Sequence, residues 1–332
     1  MKPVLITGGA GYIGSHTVRE LRKKGIPVIV LDNLTTGHRE AVQEVTFYEG
    51  DIANRVLVES IVRAHQVDSV IHFAGKCMVA ESLTRPDLYF HENTVKSFAF
   101  LETAVRVGVK NIVFSSTAAV YGIPDRIPVR EDAQLHPINP YGASKRMIEE
   151  YIEWLGKVYG VGWISLRYFN AAGASLDGFI GEDHRAETHL IPLVLQTAQG
   201  VKEKVSVFGT DYSTDDGTCI RDYIHVLDLA QAHILALQAL EQGKPSRVLN
   251  VGSGNGFSVR EIIRKAESIT GCHIKVEFTC RREGDPPVLV ADSTALREAL
   301  GWEPRYSDLE TILTSAWQWH KTHPNGWNSR PD

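Results

Sequence analysis

Cysteine is scarce in this sequence, and its few copies form no recognisable pattern. No CxxC pair occurs, and no spacing to a histidine matches a zinc motif, among the four cysteines Cys77, Cys219, Cys272 and Cys280. Disulfides and cysteine-based zinc sites are therefore not expected. Reduced, partly buried thiols in a cytosolic protein are the simplest interpretation.

Long apolar runs and an excess of positive charge are also missing. No run approaches the ~20 apolar residues of a membrane span, and "MKPVLITGG" lacks the pattern of a signal peptide. Lys and Arg number 35 against 40 Asp and Glu, a formal net charge of −5. We therefore expect a soluble, cytoplasmic protein that does not bind nucleic acid through phosphate attraction. A local arginine cluster would still suit a small anionic ligand.

The 332 residues contain enough apolar sequence for a large core. Short β-branched runs such as "VLITG", "VIVLDN" and "NIVFSS" alternate with segments of helical period. Continuous apolar strands separated by helices predict βαβ units and a doubly wound parallel sheet. The helical segments are residues 13–24, 54–65 and 86–107.

This alternation stops near residue 170. The stretch "NAAGASLDGFIGEDHRAETH" is predicted to be loop, and later strands and helices are more widely spaced. We expect a doubly wound Rossmann-type domain over residues 1–170 and a smaller α+β lobe over 171–332. The stretch 221–252 is a candidate to return to the main sheet.

A glycine-rich turn follows the first predicted strand. In "VLITGGAGYIGSH", Gly8, Gly11 and Gly14 stand where a strand passes into a helix. Glycines there permit a tight turn and let the backbone approach a pyrophosphate. Such glycines also occur in ordinary turns, but Asp32 ends the second strand at about the distance expected of a carboxylate that binds ribose. An acid there repels a 2′-phosphate, so NAD is favoured over NADP.

The stretch "NPYGASK" supplies a possible proton-transfer pair. Tyr141 and Lys145 are four residues apart, so a helix places both on one face. Ser115 and Thr117 end the fifth strand, at the sheet edge where ligands of doubly wound folds bind. Each feature alone also fits a surface helix or a helix cap. Their combination after a glycine turn favours chemistry.

Ionising that tyrosine near neutral pH requires a special environment. A free phenol has a pKa near ~10, so a phenolate at pH 7 needs roughly 4 kcal/mol of stabilisation. An exposed i,i+4 pair supplies only ~0.3–0.5 kcal/mol, whereas a cation ~4 Å away in a partly dry site supplies about 4. The hypothesis therefore requires Tyr141 to lie in a dry cleft beside Lys145.

Longer sequence motifs are more specific than the glycine turn or the Tyr141–Lys145 spacing. The segments "LRYFN", "DGTCIRDYIHV" and "RREGD", with "TGGAGYIGSH" and "PYGASK", resemble those of nucleotide-sugar 4-epimerases in the extended short-chain dehydrogenase/reductase family. The resemblance covers essentially the whole chain. It implies a Rossmann-type fold, bound NAD, a UDP-sugar substrate and a homodimer.

The resemblance also implies a reaction, the interconversion of UDP-glucose and UDP-galactose. Tyr141, as phenolate, would take the proton of the sugar 4′-hydroxyl while hydride passes to NAD+. The 4-keto sugar would then turn about its diphosphate linkage, and hydride would return to its opposite face. Lys145 would lower the pKa of Tyr141 and hold ribose hydroxyls. Thr117, where the family commonly has serine, would bond the reacting oxygen.

The remaining site assignments follow from the same resemblance. For the cofactor they are Gly8, Gly11, Tyr12, Ile13, Gly14, Asp32, Asn33, Asp51, Ile52, Phe73, Ala74, Gly75, Asn93, Ser115, Tyr141, Lys145, Tyr168 and Phe169. For the nucleotide-sugar they are Thr117, Tyr141, Asn170, His189, Leu190, Phe208, Arg221, Tyr223, Arg282, Asp285 and Leu289. Guanidinium groups match phosphate oxygens in an otherwise acidic protein.

Two departures from the family pattern leave questions open. The family often has lysine where Cys77 stands, and Lys76 lies one position earlier, so either side chain could face the cofactor. Leu289 occupies a position where a bulky tyrosine excludes N-acetylated sugars. Leucine is smaller, and UDP-GlcNAc and UDP-GalNAc are therefore candidate substrates.

The segment "EDHRAETHL" raises a metal hypothesis through Glu182, His184, Glu187 and His189. Its spacing matches no known ligand pattern, so we expect no metal site and favour a solvated loop or a nucleotide contact.

Two other functions remain to be weighed. A nucleotide-sugar 4,6-dehydratase needs an Asp-Glu pair just after the strand-end threonine, but Ala118 and Ala119 stand there. Alanine cannot transfer a proton, which argues against that reaction. A catalytically silent NAD-binding regulator is the alternative from another class. Thr117, Tyr141 and Lys145 together argue against it.

Overall fold

The computed structural model of this chain describes residues 2–282 and 285–327. Glu283 and Gly284 of the "RREGD" motif therefore lie outside the described residues. Strands and helices alternate through the first half, as the apolar runs predict. These elements are β1 (Val4–Thr7), α1 (Tyr12–Lys23), β2 (Val28–Asp32), β3 (Thr46–Glu49), α2 (Arg55–His65), β4 (Ser69–His72), α3 (Val79–Thr84), α4 (Pro86–Tyr89), α5 (Lys96–Arg106), β5 (Asn111–Thr117), α6 (Pro140–Tyr159) and β6 (Gly162–Tyr168).

The second half has shorter strands and longer connections. Its elements are β7 (Asn170–Ala172), α7 (Leu190–Ala198), β8 (Val205–Phe208), β9 (Ile220–His225), α8 (Val226–Glu241), β10 (Arg247–Val251), β11 (Gly256–Ser258), α9 (Val259–Thr270), β12 (Val276–Thr279), β13 (Val288–Leu289), α10 (Thr294–Leu300) and α11 (Leu309–Thr322).

A parallel sheet forms the centre of the first half. Within the described residues it has seven strands in the order β10-β6-β5-β4-β1-β2-β3. The doubly wound α/β prediction is confirmed. The strand order reverses between β1 and β4, and ligands of such sheets bind at the carboxyl ends beside this reversal. The predicted glycine turn follows β1 directly.

Helices cover both faces of the large sheet, which explains why its central strands are apolar throughout. On one face, α1 and α8 pack against alternate residues such as Val4 and Ile6. On the other face, α2, α5 and α6 pack against Leu5 and its neighbours. A strand buried on both sides has no polar face, so it appears as a continuous apolar run.

A smaller core lies beyond the large sheet. There α7, α9 and α11 pack against β8 around Val194, Ile262 and Leu313. Strands β11, β9 and β13, with β7 beside β9, form a short sheet, and β12 pairs with β8. Strand β10 belongs to the predicted second domain by its position in the chain, yet it joins the edge of the large sheet beside β6. The boundary between residues 170 and 171 stays a proposal.

Two predicted segments differ in detail from the structure. The predicted helix over 86–107 is interrupted at Phe90–Val95 by π-helical turns. The predicted loop after residue 169 begins with β7, because its backbone pairs with β9. None of the helices in the described ranges is long and apolar enough to cross a membrane.

Candidate active site

The turn between β1 and α1 requires glycine for steric reasons. Gly8 has φ of +69°, and a Cβ there would lie 2.6 Å from the backbone nitrogen of Ala74. A Cβ on Gly14 would overlap the carbonyl of Gly8. The turns that follow β1 and β4 are thus in direct contact at the strand-order reversal. The first N–H groups of α1 lie beside this junction, a favourable position for a phosphate.

Asp32 is fastened to the glycine turn at the end of β2. Its Oδ2 accepts a hydrogen bond from the Ala10 N–H at 2.9 Å, and its Oδ1 accepts one from Leu34 N–H at 2.9 Å. Burial raises the pKa of Asp32, and these two hydrogen bonds oppose that shift. The carboxylate is therefore held in one orientation beside the turn.

Asn33 and Asp51 extend the same end of the site. The Asn33 amide donates to Asp51 at 3.4 Å, and Lys96 Nζ donates to Asp51 at 2.7 Å. Ile52 is buried next to them. The predicted adenosine-side residues thus form one group around the ends of β2 and β3.

Asn93 clamps the turn after β4 onto α6. It is fully buried in the π-helical segment, and its Oδ1 accepts from Lys76 N–H at 2.7 Å. Its Nδ2 donates to the carbonyl of Lys76 at 3.0 Å and to Ser144 Oγ at 3.1 Å. A Cβ on Gly75 would lie 3.0 Å from Asn93 Oδ1 and 3.6 Å from Lys145 Nζ. π-helical turns often occur at functional sites, and this one bears a predicted cofactor residue.

Tyr141 and Lys145 lie on the buried face of the first turns of α6. Asn139 caps the helix by accepting from Gly142 N–H at 2.8 Å, and Pro140 occupies its first position. Tyr141 is 6% exposed and Lys145 is 4% exposed. Lys145 Nζ donates to the carbonyl of Ser115 at 3.1 Å. The spacing therefore belongs to a buried face rather than to a surface helix.

The end of β5 supplies the hydroxyl groups. Thr117 is 7% exposed and pairs in register with Tyr168 of β6. Ser115 Oγ and the Tyr168 hydroxyl are 2.7 Å apart. Phe169 follows directly and is also buried. The predicted residues of β5, β6 and α6 are therefore brought together at one sheet edge.

Burial dominates the ionisation of the pair. It raises the pKa of Tyr141 well above the usual value, the charge of Tyr168 adds to this, and a hydrogen bond with Thr117 opposes it. Burial also lowers the pKa of Lys145 to about 8, while Cys77 and Glu149 oppose that shift. The protein by itself thus keeps the Tyr141 phenol neutral. A further positive charge is needed to form the phenolate near pH 7.

Cys77 lies near enough to these residues to interact with them electrostatically. Burial raises the pKa of the Cys77 thiol, whereas the charges of His189 and Lys145 lower it. The thiol in turn acts on Tyr141. Lys76 Nζ instead lies 4.0 Å from Glu81. These contacts favour Cys77 over Lys76 as the side chain near the cofactor, which stays a prediction.

A buried ion pair behind α6 was missed at the sequence level. Arg167 of β6 donates to Glu149 through Nη2 at 2.7 Å and through Nε at 3.0 Å. Their side chains are 5% and 6% exposed. Ser116 also donates to Glu149, and Arg167 donates to the Tyr121 hydroxyl at 3.0 Å. The available signals were a glutamate four residues after Lys145 and an arginine inside the apolar run "WISLRYF".

Arg221 and Arg282 lie in a second cluster, formed by the smaller lobe. Arg221 pairs in register with Leu289, and its Nη1 donates to the carbonyl of Pro286 at 2.8 Å. Its Nη2 lies 3.4 Å from Asp285. The Arg282 guanidinium stacks over the Phe208 ring at 3.8 Å. The predicted nucleotide-sugar residues of three separate segments are thus adjacent.

Asn170 and Tyr223 face each other in the pairing of β7 with β9. The Asn170 amide donates a hydrogen bond to the carbonyl of Asp222 at 2.9 Å. Burial raises the pKa of Tyr223, and the positive charge of Arg221 opposes that shift. No hydrogen bond or ion pair in the described ranges joins Arg221 or Arg282 to the Tyr141 group. Arg221, Arg282 and their neighbours in the smaller lobe therefore form one group, while Thr117 and Tyr141 belong to the group at the edge of the large sheet.

His189 and Leu190 start α7, next to a group of acidic and imidazole side chains. His189 Nδ1 lies 2.7 Å from Glu182 Oε1, and His184 Nδ1 lies 3.2 Å from Glu187 Oε2. Burial lowers the pKa of His189, but the charges of Glu182 and Glu187 outweigh it and raise this pKa well above its usual value. The two glutamate side chains are only 5% and 4% exposed. These two carboxylates are therefore buried within the loop rather than solvated, and the alternative of a nucleotide contact stays a prediction.

The chain as a whole is similar to known proteins. Residues 4–252 match the NAD dependent epimerase/dehydratase family. The chain is 52% identical to a UDP-glucose 4-epimerase of Streptococcus mutans over 98% of this chain and 99% of that protein.

Two solved structures show the same fold over nearly the whole chain. One is a UDP-glucose 4-epimerase from Brucella ovis in complex with NAD, with a TM-score of 0.94, 42% identity and coverage of 96% of this chain and 98% of that one. The other is a UDP-Glc/GlcNAc 4-epimerase from Campylobacter jejuni, with a TM-score of 0.86, 42% identity and coverage of 97% and 100%.

Proposed function

This chain belongs to the NAD dependent epimerase/dehydratase family, and on that premise we propose that it interconverts UDP-glucose and UDP-galactose. The reaction oxidises C4 of the sugar transiently and reduces it again from the opposite face. The observation that carries the proposal is the buried group of Tyr141, Lys145 and Thr117 at the carboxyl edge of the large sheet.

The residues around the glycine turn fit NAD. A Cβ on Gly8 would collide with Ala74, so only glycine fits this tight turn. Glycines without side chains also let the backbone of the turn approach a pyrophosphate closely. Asp32 is held beside it, where a carboxylate binds ribose hydroxyls and repels a 2′-phosphate. When bound, NAD+ supplies the acceptor for a hydride from the sugar.

Tyr141 moves the proton. As a phenolate it takes the proton of the sugar 4′-hydroxyl, and as a phenol it returns that proton at the end of the cycle. Thr117, which lies beside Tyr141 and acts to lower its pKa, orients the same oxygen. Lys145 is anchored to the Ser115 carbonyl and presents its remaining N–H donors towards the ribose side.

The buried position of Tyr141 gives the reaction a built-in requirement. Burial alone raises the pKa of this phenol, so the phenolate becomes accessible only when positive charge enters the cleft. A cationic cofactor ring would supply that charge in addition to Lys145, and a cation ~4 Å away in a partly dry site contributes about 4 kcal/mol. The base is therefore formed in the loaded enzyme and not in the bare protein.

The smaller lobe holds the nucleotide diphosphate. Arg221 and Arg282 suit phosphate oxygens because their planar guanidinium groups offer paired donors. Phe208, already stacked on Arg282, and Asp285 line the same region. Asn170, His189, Leu190 and Tyr223 complete the assigned contacts.

N-acetylated sugars are proposed as further substrates. Leu289 stands beside Arg221 in the β13–β9 pairing, and a leucine leaves more room for an acetamido group than a tyrosine would. The Campylobacter jejuni relative is named for both UDP-Glc and UDP-GlcNAc. Homodimer assembly, which rests on the family resemblance, and a cytoplasmic location are also proposed.

The dehydratase alternative has little support. Ala118 and Ala119 form the 3₁₀ turn after Thr117, where that chemistry needs a proton donor and a base. The silent regulator has no observation in its favour either, because a structural role would not require Lys145 to be buried as a cation.

One assay separates these functions. Purified protein is mixed with UDP-galactose without added cofactor, and UDP-glucose is measured by chromatography. We expect interconversion, with NAD released on denaturation. NAD release without interconversion would favour the regulator, and a 4-keto-6-deoxy product would favour the dehydratase. The same assay with UDP-GalNAc tests the wider substrate range.

A further inference from the structure

Four potential metal ligands converge in the loop that leads into α7. The donor atoms of Glu182, His184, Glu187 and His189 all lie within 4.8 Å of one another. His184 Nδ1 is 3.5 Å from Glu182 Oε1 and 3.2 Å from Glu187 Oε2. His189 Nδ1 is 2.7 Å from Glu182 Oε1 and 3.4 Å from Glu187 Oε1. We call this group the 182–189 cluster.

The charge in the 182–189 cluster demands compensation. Its two carboxylates have side chains only 5% and 4% exposed, and placing two negative charges side by side away from water is costly unless they are paired. The facing groups are imidazoles, whose side chains are 19% and 45% exposed. One divalent cation balances both carboxylates without requiring either imidazole to be protonated.

The spacing of the donors suits a small divalent ion. Zinc binds imidazole nitrogen and carboxylate oxygen at ~2.0–2.2 Å, so tetrahedral donors lie about 3.3–3.5 Å apart. Two of the three distances that join the histidine Nδ1 atoms to Glu182 Oε1 and Glu187 Oε2 fall within about 0.1 Å of this range. Only His189 and Glu182 would have to separate slightly. A donor set of two imidazoles and two carboxylates also suits transition-metal ions better than it suits magnesium or calcium.

The backbone of the loop is fixed from outside the cluster. Gly181 packs so tightly on Trp319 that a Cβ would overlap the indole. Asp183 turns away from the cluster and accepts a hydrogen bond from Trp327 N–H at 2.8 Å. Glu187 Oε1 is held by the Thr188 and His189 N–H groups at 2.7 and 2.8 Å, which leaves Oε2 towards His184. The donors are therefore positioned before any ion binds.

We propose that the 182–189 cluster binds one divalent transition-metal ion of the zinc class. The ion takes Nδ1 of both histidines and one oxygen of each glutamate, and water can reach it past His189. Nδ1 of His189 is then occupied, so Nε2 is the nitrogen left to contact a ligand in the cleft. Cys77 is near enough to His189 to affect its pKa, but it is not a member of the cluster.

The test measures zinc in protein that has no affinity tag. NAD-loaded protein is treated with a chelator, dialysed against zinc and then against buffer, and its metal content is read by mass spectrometry. We expect about one zinc per chain, bound at least about tenfold more weakly in His184→Gln and in Glu187→Gln, since even outer-shell changes cost that much. Retention of NAD by each variant shows that it has folded.

A matched control separates the cluster from adventitious pairs. His273 and Glu267 form an exposed imidazole–carboxylate pair at 2.8 Å, and His273→Gln should leave the zinc content unchanged. X-ray absorption at the zinc edge should show nitrogen and oxygen ligands without sulfur, and Cys77→Ser should keep the ion.

Three results would overturn the proposal. The first is a zinc content of the wild-type protein no higher than that of His184→Gln, which would mean that the cluster is a pair of imidazolium–carboxylate contacts and not a metal site. The second is sulfur in the coordination shell, and the third is an equal loss of zinc in His273→Gln and in His184→Gln. Because zinc content and coordination are read directly, these outcomes do not depend on whether the proposed epimerase reaction occurs.

Discussion

Around Tyr141 and Lys145 the candidate site rests on long buried elements, whereas around Arg221 and Arg282 it rests on strands of two to six residues. Helix α6 has 20 residues and β5 has seven. In the smaller lobe β13 has two residues and β8 has four. Tyr141 is 6% exposed, while the Arg221 and Asp285 side chains are 13% and 36% exposed.

This difference predicts a division of labour. The Tyr141 region is dry and braced by the Glu149–Arg167 pair, which suits a proton transfer that needs a fixed geometry and a low dielectric. The Arg221 region is wetter, and its guanidinium is held partly by backbone carbonyls. Changes in the first region should affect catalytic rate or folding, and changes in the second should affect substrate affinity or choice.

The largest effect should come from Tyr141→Phe. Removing the proton-transfer group should lower kcat by about 100- to 10,000-fold, with NAD content and fold preserved because the ring still fills its place. Tyr89→Phe is the matched control, since Tyr89 is equally buried and its ring centroid lies 6.4 Å from that of Tyr141. Near-normal turnover of Tyr141→Phe would show that Tyr141 is not the proton-transfer group.

Glu149→Ala should mainly affect folding. It leaves Arg167 buried without its partner, which costs about 3–5 kcal/mol in the free energy of unfolding. The neighbouring surface pair of Arg146 and Glu150, 3.2 Å apart, gives the control. Glu150→Ala should cost only about 0.3–0.5 kcal/mol. Denaturant unfolding of both variants measures the contrast, and equal costs would contradict a bracing role for the buried pair.

Arg282→Ala should act on affinity instead. Loss of a charged donor to a phosphate corresponds to about 1.5–3 kcal/mol, or a 10- to 100-fold rise in KM for UDP-galactose. The value of kcat and the melting temperature should change little. Arg281→Ala is the control, because Arg281 pairs with Asp211 and is not assigned to the ligand. A fall in kcat at constant KM would show that the lobe takes part in the chemical step.

Acid should destabilise both regions in the same way, which limits the comparison. Burial lowers the pKa of His72 in the large sheet and of His225 in the lobe to about 3 each. Between pH 6.5 and about 3 the unfolded chain binds the proton and the folded protein does not, so stability falls as pH falls. Each histidine contributes up to about 1.4 kcal/mol per pH unit in this window.

Single substitutions test this pH dependence. His72→Asn and His225→Asn are both expected to destabilise the protein at pH 7, and the deficit relative to wild type should shrink at pH 5 by about 2 kcal/mol, because wild type alone carries the protonation penalty. Denaturant unfolding at both pH values supplies the numbers. A constant deficit for one variant would mean that its histidine is already charged when buried.

Leu289→Tyr should give the smallest change and affect substrate choice alone. The larger ring should lower turnover of UDP-GlcNAc by about tenfold, in line with the modest discrimination that pocket size provides. UDP-galactose turnover serves as the internal control and should remain near wild type. Equal rates on the acetylated sugar before and after the change would remove the wider substrate range.

Much of the first region could be predicted from the sequence because its signals are local. Continuous apolar runs predicted the parallel strands, and the glycine spacing and Asp32 predicted the nucleotide end. The one local signal that misled concerns residues 86–107, where the helical period does not reveal the π-helical turns around Asn93. A π-helical turn adds one residue without changing the amino-acid types, and its hydrogen bonds to Lys76 and Ser144 come from distant segments.

The prediction of the residues around Arg221 and Arg282 depended more on the family resemblance than on sequence patterns. No periodicity predicts that Arg221, Phe208 and Leu289 meet, since strands of two to six residues are too short to show one. The acidic and imidazole residues of 182–189 have no known ligand spacing, so their sequence predicts a solvated loop or a nucleotide contact. Their burial depends on contacts of the loop with Trp319 and Trp327, which lie more than 100 residues away in the chain.

Local composition and spacing alone determined the α/β class, the glycine turn and the one-sided placement of Tyr141 and Lys145, because these follow from short-range sterics and the periods of helix and strand. Tertiary structure decided how deeply Tyr141 is buried, and which charged side chains form pairs. Those properties depend on side chains that approach one another through space, and the free energy of a buried charge is set by all of its neighbours together.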